Sequence, residues 1–334
     1  MADVVSGTAG RPAGRPAATR VVAVVVTWNR RELLERCLAA VTTQDPAPDA
    51  VVVVDNASTD GTAAMVAQSF PQVDLVGCAT NTGGAGGFAL GIARALDLDA
   101  DAVWIMDDDT IPQPGALAAL VSVREEYAAG WSFGPPVVVA SRVEWVDGRA
   151  HPMNTPREKP FVLPGERNDA AALGCIAVRT ASFVSLLLDA ARIREVGLPV
   201  ADFFLWNDDF EYTARLLRDR KGLLCPASVV RHETKVFGGT DVDPGERFYF
   251  EVRNKVWTLT RSRALAAGER VMYAGSTLRR WARTARHSSD RATLRRAGLR
   301  GLRDGLRTRP RSTAAVLADA DPSVRPAFLD ADRV

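Results

Sequence analysis

The residues of this chain best suited to chemistry are three adjacent carboxylates, Asp107-Asp108-Asp109. Neighbouring negative charges repel one another, and the apolar run Ala102–Met106 leads straight into them. A structural role would demand three separate cationic partners. One divalent cation meets the same need, because hard carboxylate oxygens suit Mg2+ or Mn2+. Residues two apart reach the same side of extended backbone, so Asp107 and Asp109 can share one ion. Taken alone, the triplet also reads as a solvated acidic turn.

A second acidic cluster, Trp206-Asn207-Asp208-Asp209-Phe210-Glu211-Tyr212, precedes a helical stretch. Carboxylates near a helix start are favoured by the dipole, and Glu211 and Arg215 have the spacing of an ion pair. An aromatic-flanked Asp-Asp is equally a place for a general base, since a desolvated, well-placed carboxylate can take a proton from a hydroxyl. His232, one of three histidines, ends a short apolar run and reads either as structural or as a ligand. His151 and His287 lie in loop-like or basic surroundings and receive no role.

Two further polar segments follow apolar runs. Asp55 ends the run Ala50–Val54 and opens Asn56-Ala57-Ser58-Thr59-Asp60-Gly61-Thr62. Its carboxylate can accept from a nucleobase imide or a ribose hydroxyl, or simply build an Asx-turn and helix cap. Asn81-Thr82-Gly83-Gly84-Ala85-Gly86-Gly87 is neither a GxGxxG fingerprint nor a P-loop. Its glycines either admit a ligand close to the backbone or mark a flexible loop.

These clusters need elements to position them. Val21–Val26 is an uninterrupted β-branched run, as in a strand buried on both faces, and it runs out into Thr27-Trp28-Asn29-Arg30. Helical periodicity follows over Arg31–Val41, with Leu33, Leu34, Cys37, Leu38 and Val41 on one face. The pattern predicts strands at 50–54, 73–76 and 102–106, and helices at 62–69, from the glycine segment to Leu96, and over 112–127. This β-α alternation predicts an α/β fold around a parallel sheet with right-handed crossovers. Ligands then bind beyond the carboxyl ends of the strands, where Thr27–Arg30, Asp55–Asp60 and Asp107–Asp109 would converge. Beyond Gly130 the pattern predicts strands near 132–140 and 172–178, and a helix over 180–196. A helix following Asn207–Tyr212 to about Arg220, strand segments at 223–226 and 228–232, and helices from about Glu246 complete the reading.

With 334 residues, 47% hydrophobic and 25% charged, the chain can bury one large domain and a smaller appendage. Residues 1–19 read as a disordered tail, 20–260 as the α/β domain, and 261–334 as a basic helical region. Cys37, Cys78, Cys175 and Cys225 lack metal or disulfide spacing and read as buried thiols of a reducing compartment. No apolar run approaches the ~20 residues of a membrane span and no secretory leader is visible, so a cytoplasmic or inner-face peripheral location is expected. Between Arg279 and Arg311 only Asp290 and Asp304 are acidic. Leu278, Trp281, Leu299, Leu302 and Leu306 recur there at near-helical spacing. Residues 278–311 therefore suit either an anionic membrane surface or a packed subdomain with a solvated arginine face. Nothing there resembles a nucleic-acid-binding module.

In order and spacing, these segments resemble family 2 glycosyltransferases of the GT-A fold from Val21 to about Trp257. The matching elements are Val-Val-Thr-Trp-Asn-Arg, Val-Asp-Asn-Ala-Ser-Thr-Asp-Gly-Thr, Asn-Thr-Gly-Gly-Ala-Gly-Gly-Phe, Asp-Asp-Asp, Trp-Asn-Asp-Asp-Phe-Glu-Tyr and the later His232. With Arg247-Phe248-Tyr249-Phe250-Glu251-Val252-Arg253-Asn254 they are similar to the bacterial galactofuranosyltransferase and rhamnosyltransferase branch of cell-wall galactan synthesis. Trp28 stands where that family commonly has tyrosine.

The resemblance implies a nucleotide-sugar donor, a UDP-sugar first and a dTDP-sugar second, and a glycan or polyprenyl-linked acceptor. It implies that Thr27, Asn29, Arg30, Asp55, Asn81, Gly83, Gly84 and Asp108 hold the donor. Asp107, Asp109 and His232 would hold Mn2+ or Mg2+, Asp209 would be the base, and Trp206 and Asp208 would shape the acceptor side. Two other classes compete. A nucleotidyltransferase should carry an N-terminal glycine-rich loop with Arg and Lys, which is missing. An inactive sugar-binding scaffold would have no need of the acidic residues and His232.

Overall fold

A computed structural model describes residues 19–130, 135–234, 237 and 243–320. The expected tail over 1–18 and the first residues of the 132–140 strand fall outside them. Val21–Thr27 forms β1, followed by α1 (Arg31–Thr42), β2 (Ala50–Asp55), α2 (Thr62–Ser69), β3 (Asp74–Gly77), α3 (Gly83–Asp97) and β4 (Ala102–Asp107). The four strands pair in parallel in the order β3-β2-β1-β4. The β-branched run of β1 is buried on both faces, as its composition requires. Val22, Val24 and Val26 pack towards α3, whereas Val21, Ala23 and Val25 pack towards Leu34, Leu38 and Val41 of α1. Each fully buried valine or leucine contributes about 1.5–3 kcal/mol.

Past the acid triplet the chain departs from the expected pattern. Thr110–Pro112 is a short strand, β5, and the helix α4 begins only at Ala116 and ends at Gly130. Then come β6 (Val138–Glu144), β7 (Arg157–Glu158), α5 (Pro164–Ala172), β8 (Ile176–Thr180), β9 (Leu186–Asp189) and α6 (Ala190–Val196). The helix expected over 180–196 is thus a buried strand and two turns of helix. Leu186-Leu187-Leu188 pairs antiparallel with both β4 and β6, a short apolar run that periodicity cannot distinguish from a buried helix. The strand expected at 172–178 starts later, because Pro164 opens a helix that takes Ala172.

α7 (Asp208–Leu216) is followed by β10 (Gly222–His232). β10 is one strand with a bulge between Cys225 and Val229, at the break expected between two segments. It joins β6 in parallel and β5 and β8 antiparallel, so the sheet is mostly parallel with antiparallel insertions.

Four helices end the described residues: α8 (Phe248–Thr260), α9 (Ala267–His287), α10 (Arg291–Arg307) and α11 (Thr313–Ala320). α10 packs on α8 through Gly298, Gly301 and Gly305. A Cβ at Gly301 would lie 2.5 Å from the Tyr249 carbonyl oxygen, so only glycine permits this approach. Leu294 is buried in the same seam, while Leu299, Leu302 and Leu306 face outward among arginines. No helix among the described residues is long and apolar enough to cross a membrane.

Candidate active site

The acid triplet lies where β4 ends, and β5 explains how His232 reaches it. The chain turns after Asp109 and pairs Thr110 with His232, while the Glu233 amide donates to the Asp109 carbonyl at 2.9 Å. One ligand atom each from Asp107, Asp109 and His232 lies within 4.8 Å of the others. His232 Nε2 is 3.0 Å from Asp109 Oδ1. Asn154 fixes the ring: its Nδ2 donates to Ser182 Oγ at 3.1 Å, leaving Oδ1 to accept from His232 Nδ1 at 2.9 Å. In the neutral imidazole this tautomer turns a bare Nε2 lone pair towards Asp109 Oδ1, itself buried without a hydrogen-bond donor. Two acceptors face each other at a spacing that suits neighbouring ligands on an ion bonded at about 2.1 Å. The donor set therefore fits a hard divalent cation.

Electrostatics agree with that fit. Burial and the adjoining Asp109 and Asp108 push the Asp107 carboxyl well above the carboxylate range. Burial raises Asp108 to about 6, against the pull of Arg30. Burial would raise Asp109 too, but a protonated His232, the form that replaces the ion-ready tautomer when no cation is bound, and Arg30 outweigh it and hold this carboxyl below its ordinary value. Arg30 bridges Asp108 Oδ1 at 3.1 Å and Asp109 Oδ2 at 2.5 Å.

The expected donor residues divide into those at this cluster and those that shape loops. Thr27, at the end of β1, donates its hydroxyl to Asp108 Oδ2 at 2.8 Å, so both residues brace the cluster. Trp28 stands exposed beside it. Asn29 has φ 51° and accepts the Thr59 amide at 2.8 Å, clamping the β1 and β2 loops together. Asp55 accepts the Ser58 amide at 2.9 Å, the Asx-turn allowed by its sequence. Asn81 caps Gly83 at 2.7 Å and lines a cavity with Asp202, Phe204 and Asp319, away from the carboxylates.

The glycine segment is the first turn of α3 rather than an open loop. Gly83 has φ 71° and lets the Phe204 carbonyl approach, Gly87 abuts Val26, and Gly84 alone has open space around it. Asn56, read from sequence only as a turn residue, holds this segment by accepting the Thr82 amide at 2.8 Å and donating to Gly83 O at 2.7 Å.

Opposite the carboxylates, Phe204, Trp206 and Asn207 all have left-handed backbone, with φ of 62–66°. Such strain persists only when surroundings enforce it. Asn254 on α8 does so, its Nδ2 donating to the carbonyls of Phe203, Leu205 and Trp206 at 2.8–2.9 Å. The turn delivers Asp209 to a cavity of about 280 Å³ that it lines with Asn154, Ser182, Trp206, Glu251 and Lys255. Asp209 is raised from its ordinary value, by burial first, against Lys255 and Arg157. Asp208 is buried, is not among the residues lining the cavity, and is raised to about 7 by burial and by Asp209. Successive residues in a helical turn point about 100° apart, which separates these two neighbours. Trp206 does line the cavity, under the guanidinium of Arg247.

Asn154 and Lys255 carried no sequence signal of their own, and Asn254 entered only as the last residue of the Arg247–Asn254 segment, without a role. Asn154 yields a direct test, because outer partners of metal-bound histidines typically govern affinity about 10–100-fold. Asn154→Ala is expected to weaken Mn2+-dependent nucleotide binding within that range, with thermal stability little changed, by calorimetry and melting. Unaltered Mn2+ affinity would remove Asn154 from the site.

Comparison with known proteins accords with this geometry. Residues 22–181 match the family model described as Glycosyl transferase family 2. A relative from Mycolicibacterium smegmatis, Galactofuranosyltransferase GlfT1, is 33% identical over 59% of this chain and 65% of its own length. The protein of the same name from Mycobacterium tuberculosis is 29% identical over 72% of this chain and 82% of its own. Among solved structures, S. aureus TarS 1-349 in complex with UDP superposes with a TM-score of 0.60 at 17% identity, covering 90% of this chain and 83% of that one. The fold is thus of the GT-A kind, and residues 22–181 match the model of glycosyltransferase family 2.

Proposed function

We propose that this chain is a metal-dependent, inverting glycosyltransferase that moves galactofuranose from UDP-galactofuranose to a hydroxyl of a glycan or lipid-linked acceptor during cell-envelope polysaccharide synthesis. One observation carries the reading: Asp107, Asp109 and His232 gather ligand atoms at one end of the strands, while Asp209 lines a cavity that Asn154, the partner of His232, also lines. The names of the mycobacterial relatives support the choice of sugar.

Inversion needs one base and one displacement. Asp209 accepts the proton of the acceptor hydroxyl, whose oxygen attacks the anomeric carbon from the face opposite the leaving nucleoside diphosphate. Lys255 and Arg157 hold Asp209 towards its carboxylate form. A bound Mn2+ or Mg2+ would neutralise charge on the departing diphosphate. Asp107 and Asp109 would bind that ion, and Asn154 holds the His232 Nε2 lone pair towards it. Thr27 and Arg30 keep Asp108 and Asp109 in place, and exposed Trp28 offers a face for stacking. The outward Leu299, Leu302 and Leu306, set among arginines, suit contact of residues 278–311 with an anionic membrane surface.

The test is calorimetric titration with UDP, dTDP, GDP and NAD, each with and without Mn2+. Manganese-dependent binding of UDP alone is expected. Preference for dTDP would replace galactofuranose by a deoxysugar donor, and binding of none would leave an inactive scaffold.

A further inference from the structure

The cavity beside Asp209 holds more positive charge than a neutral sugar requires. Its lining includes Arg157, Arg247, Lys255 and Arg280 against only two carboxylates, Asp209 and Glu251. Glu251 is already engaged: Arg280 pairs with it, Trp281 Nε1 donates to it at 2.9 Å, and Asn207 Nδ2 donates to it at 2.8 Å. Three cations and Asp209 remain, a formal excess of two positive charges.

Those three cations rest on aromatic rings. Lys255 Nζ lies 3.9 Å from the Phe210 centroid, Arg157 lies 5.5 Å from it, and Arg247 lies 5.3 Å from that of Trp206. Among the described residues no carboxylate stands at ion-pair distance from any of them. Lys255 is only 4% exposed. A desolvated ammonium without a counter-ion is costly, and burial accordingly lowers it to about 8. Phe210 thus has two cations near its ring, and both line the same cavity as Asp209. An anion with several oxygens would satisfy all three donors at once.

We infer that this cavity contains a phosphate-ester subsite built by Lys255, Arg157 and Arg247, separate from the carboxylate cluster that faces the donor. The inference rests on the transferase reading and deepens it, since the acceptor would then carry a phosphate or diphosphate near its reacting hydroxyl. A free phosphate offers the same chemistry, so the experiment separates the two sources.

The full chain is titrated with inorganic pyrophosphate and with octyl diphosphate, in chelator so that no ion can bridge anion and carboxylates. Binding of one or both is expected, with affinity falling as salt rises. Tighter binding of the ester assigns the subsite to an acceptor, and equal binding assigns it to free phosphate. Lys255→Met and Arg157→Gln should each weaken binding roughly tenfold, the usual effect of losing one charged hydrogen bond. Arg157 is exposed, so its variant folds whatever becomes of buried Lys255.

Mn2+-dependent UDP binding, measured on the same variants, should be retained. The inference is overturned if wild-type protein that binds Mn2+ and UDP binds neither anion, or if both variants bind them as wild type does. It is equally overturned if Arg157→Gln weakens UDP by the same factor, for the cations would then serve the donor. Failure of the transferase reading looks different: no nucleotide binds with Mn2+, whatever pyrophosphate does.

Discussion

Asp209→Asn is expected to lose transfer by about 10²–10⁴-fold while binding Mn2+ and UDP as wild type does. The amide keeps the shape of the side chain and its place in the cavity but cannot accept a proton. It also leaves the Thr27, Asp108, Asp109 and His232 contacts untouched, because none of them includes Asp209. Wild-type rate should show the complementary pH behaviour. Burial raises the Asp209 carboxyl, so it is protonated at a pH where an ordinary aspartate is still charged, the acid limb is displaced upward from the ordinary aspartate value, and the rate falls as pH drops through it. Single-turnover rates with a soluble acceptor, from pH 5 to 8, provide the check. Transfer by Asp209→Asn within tenfold of wild type would sink the assignment.

The second large effect concerns the ion. Asp109→Ala removes a carboxylate that touches both Arg30 and His232, and should lower Mn2+ affinity by more than the roughly 10–100-fold that an outer partner commands. Arg30 would keep its bond to Asp108, so the β1 loop should stay in place. Manganese-dependent UDP binding should therefore vanish without a loss of secondary structure. Calorimetry and circular dichroism on one preparation distinguish the two. Metal dependence preserved in Asp109→Ala, with UDP bound as before, would place the ion elsewhere.

The parallel half of the sheet was legible because β1, β2 and β4 are unbroken apolar runs largely buried on both faces, as in Val21–Thr27. β9 was not, because Leu186–Leu188 is too short for its period to declare itself, and only pairing with β4 and β6 makes it a strand. At the site, the acid triplet, His232 and Asp209 stood out because charge beside an apolar run needs an explanation. Asn154 and Asn254 did not, since an amide in a loop or a helix is unremarkable until its partners are known. Lys255 hid for another reason: a lysine on a helix of mixed polarity reads as solvated, yet tertiary packing of α8 buries it over Phe210. The glycines of α3 were read either as admitting a ligand close to the backbone or as a flexible loop, although glycine at this start of a helix was the third alternative. Here they are tolerated since β1 and Phe204 come too close for a side chain.

The clamp of Asn254 on the left-handed turn means that Asp209, the proposed base, is positioned from outside its own helix. The same late segment contributes Glu251, Lys255, Arg280 and Trp281 to the cavity, whereas the metal-ligand cluster is assembled from the sheet. On the proposed reading, one wall of the acceptor cavity is therefore inherited apart from the donor site. A chimera that exchanges residues 248–307 with those of a relative should alter the acceptor preference and leave the nucleotide requirement behind.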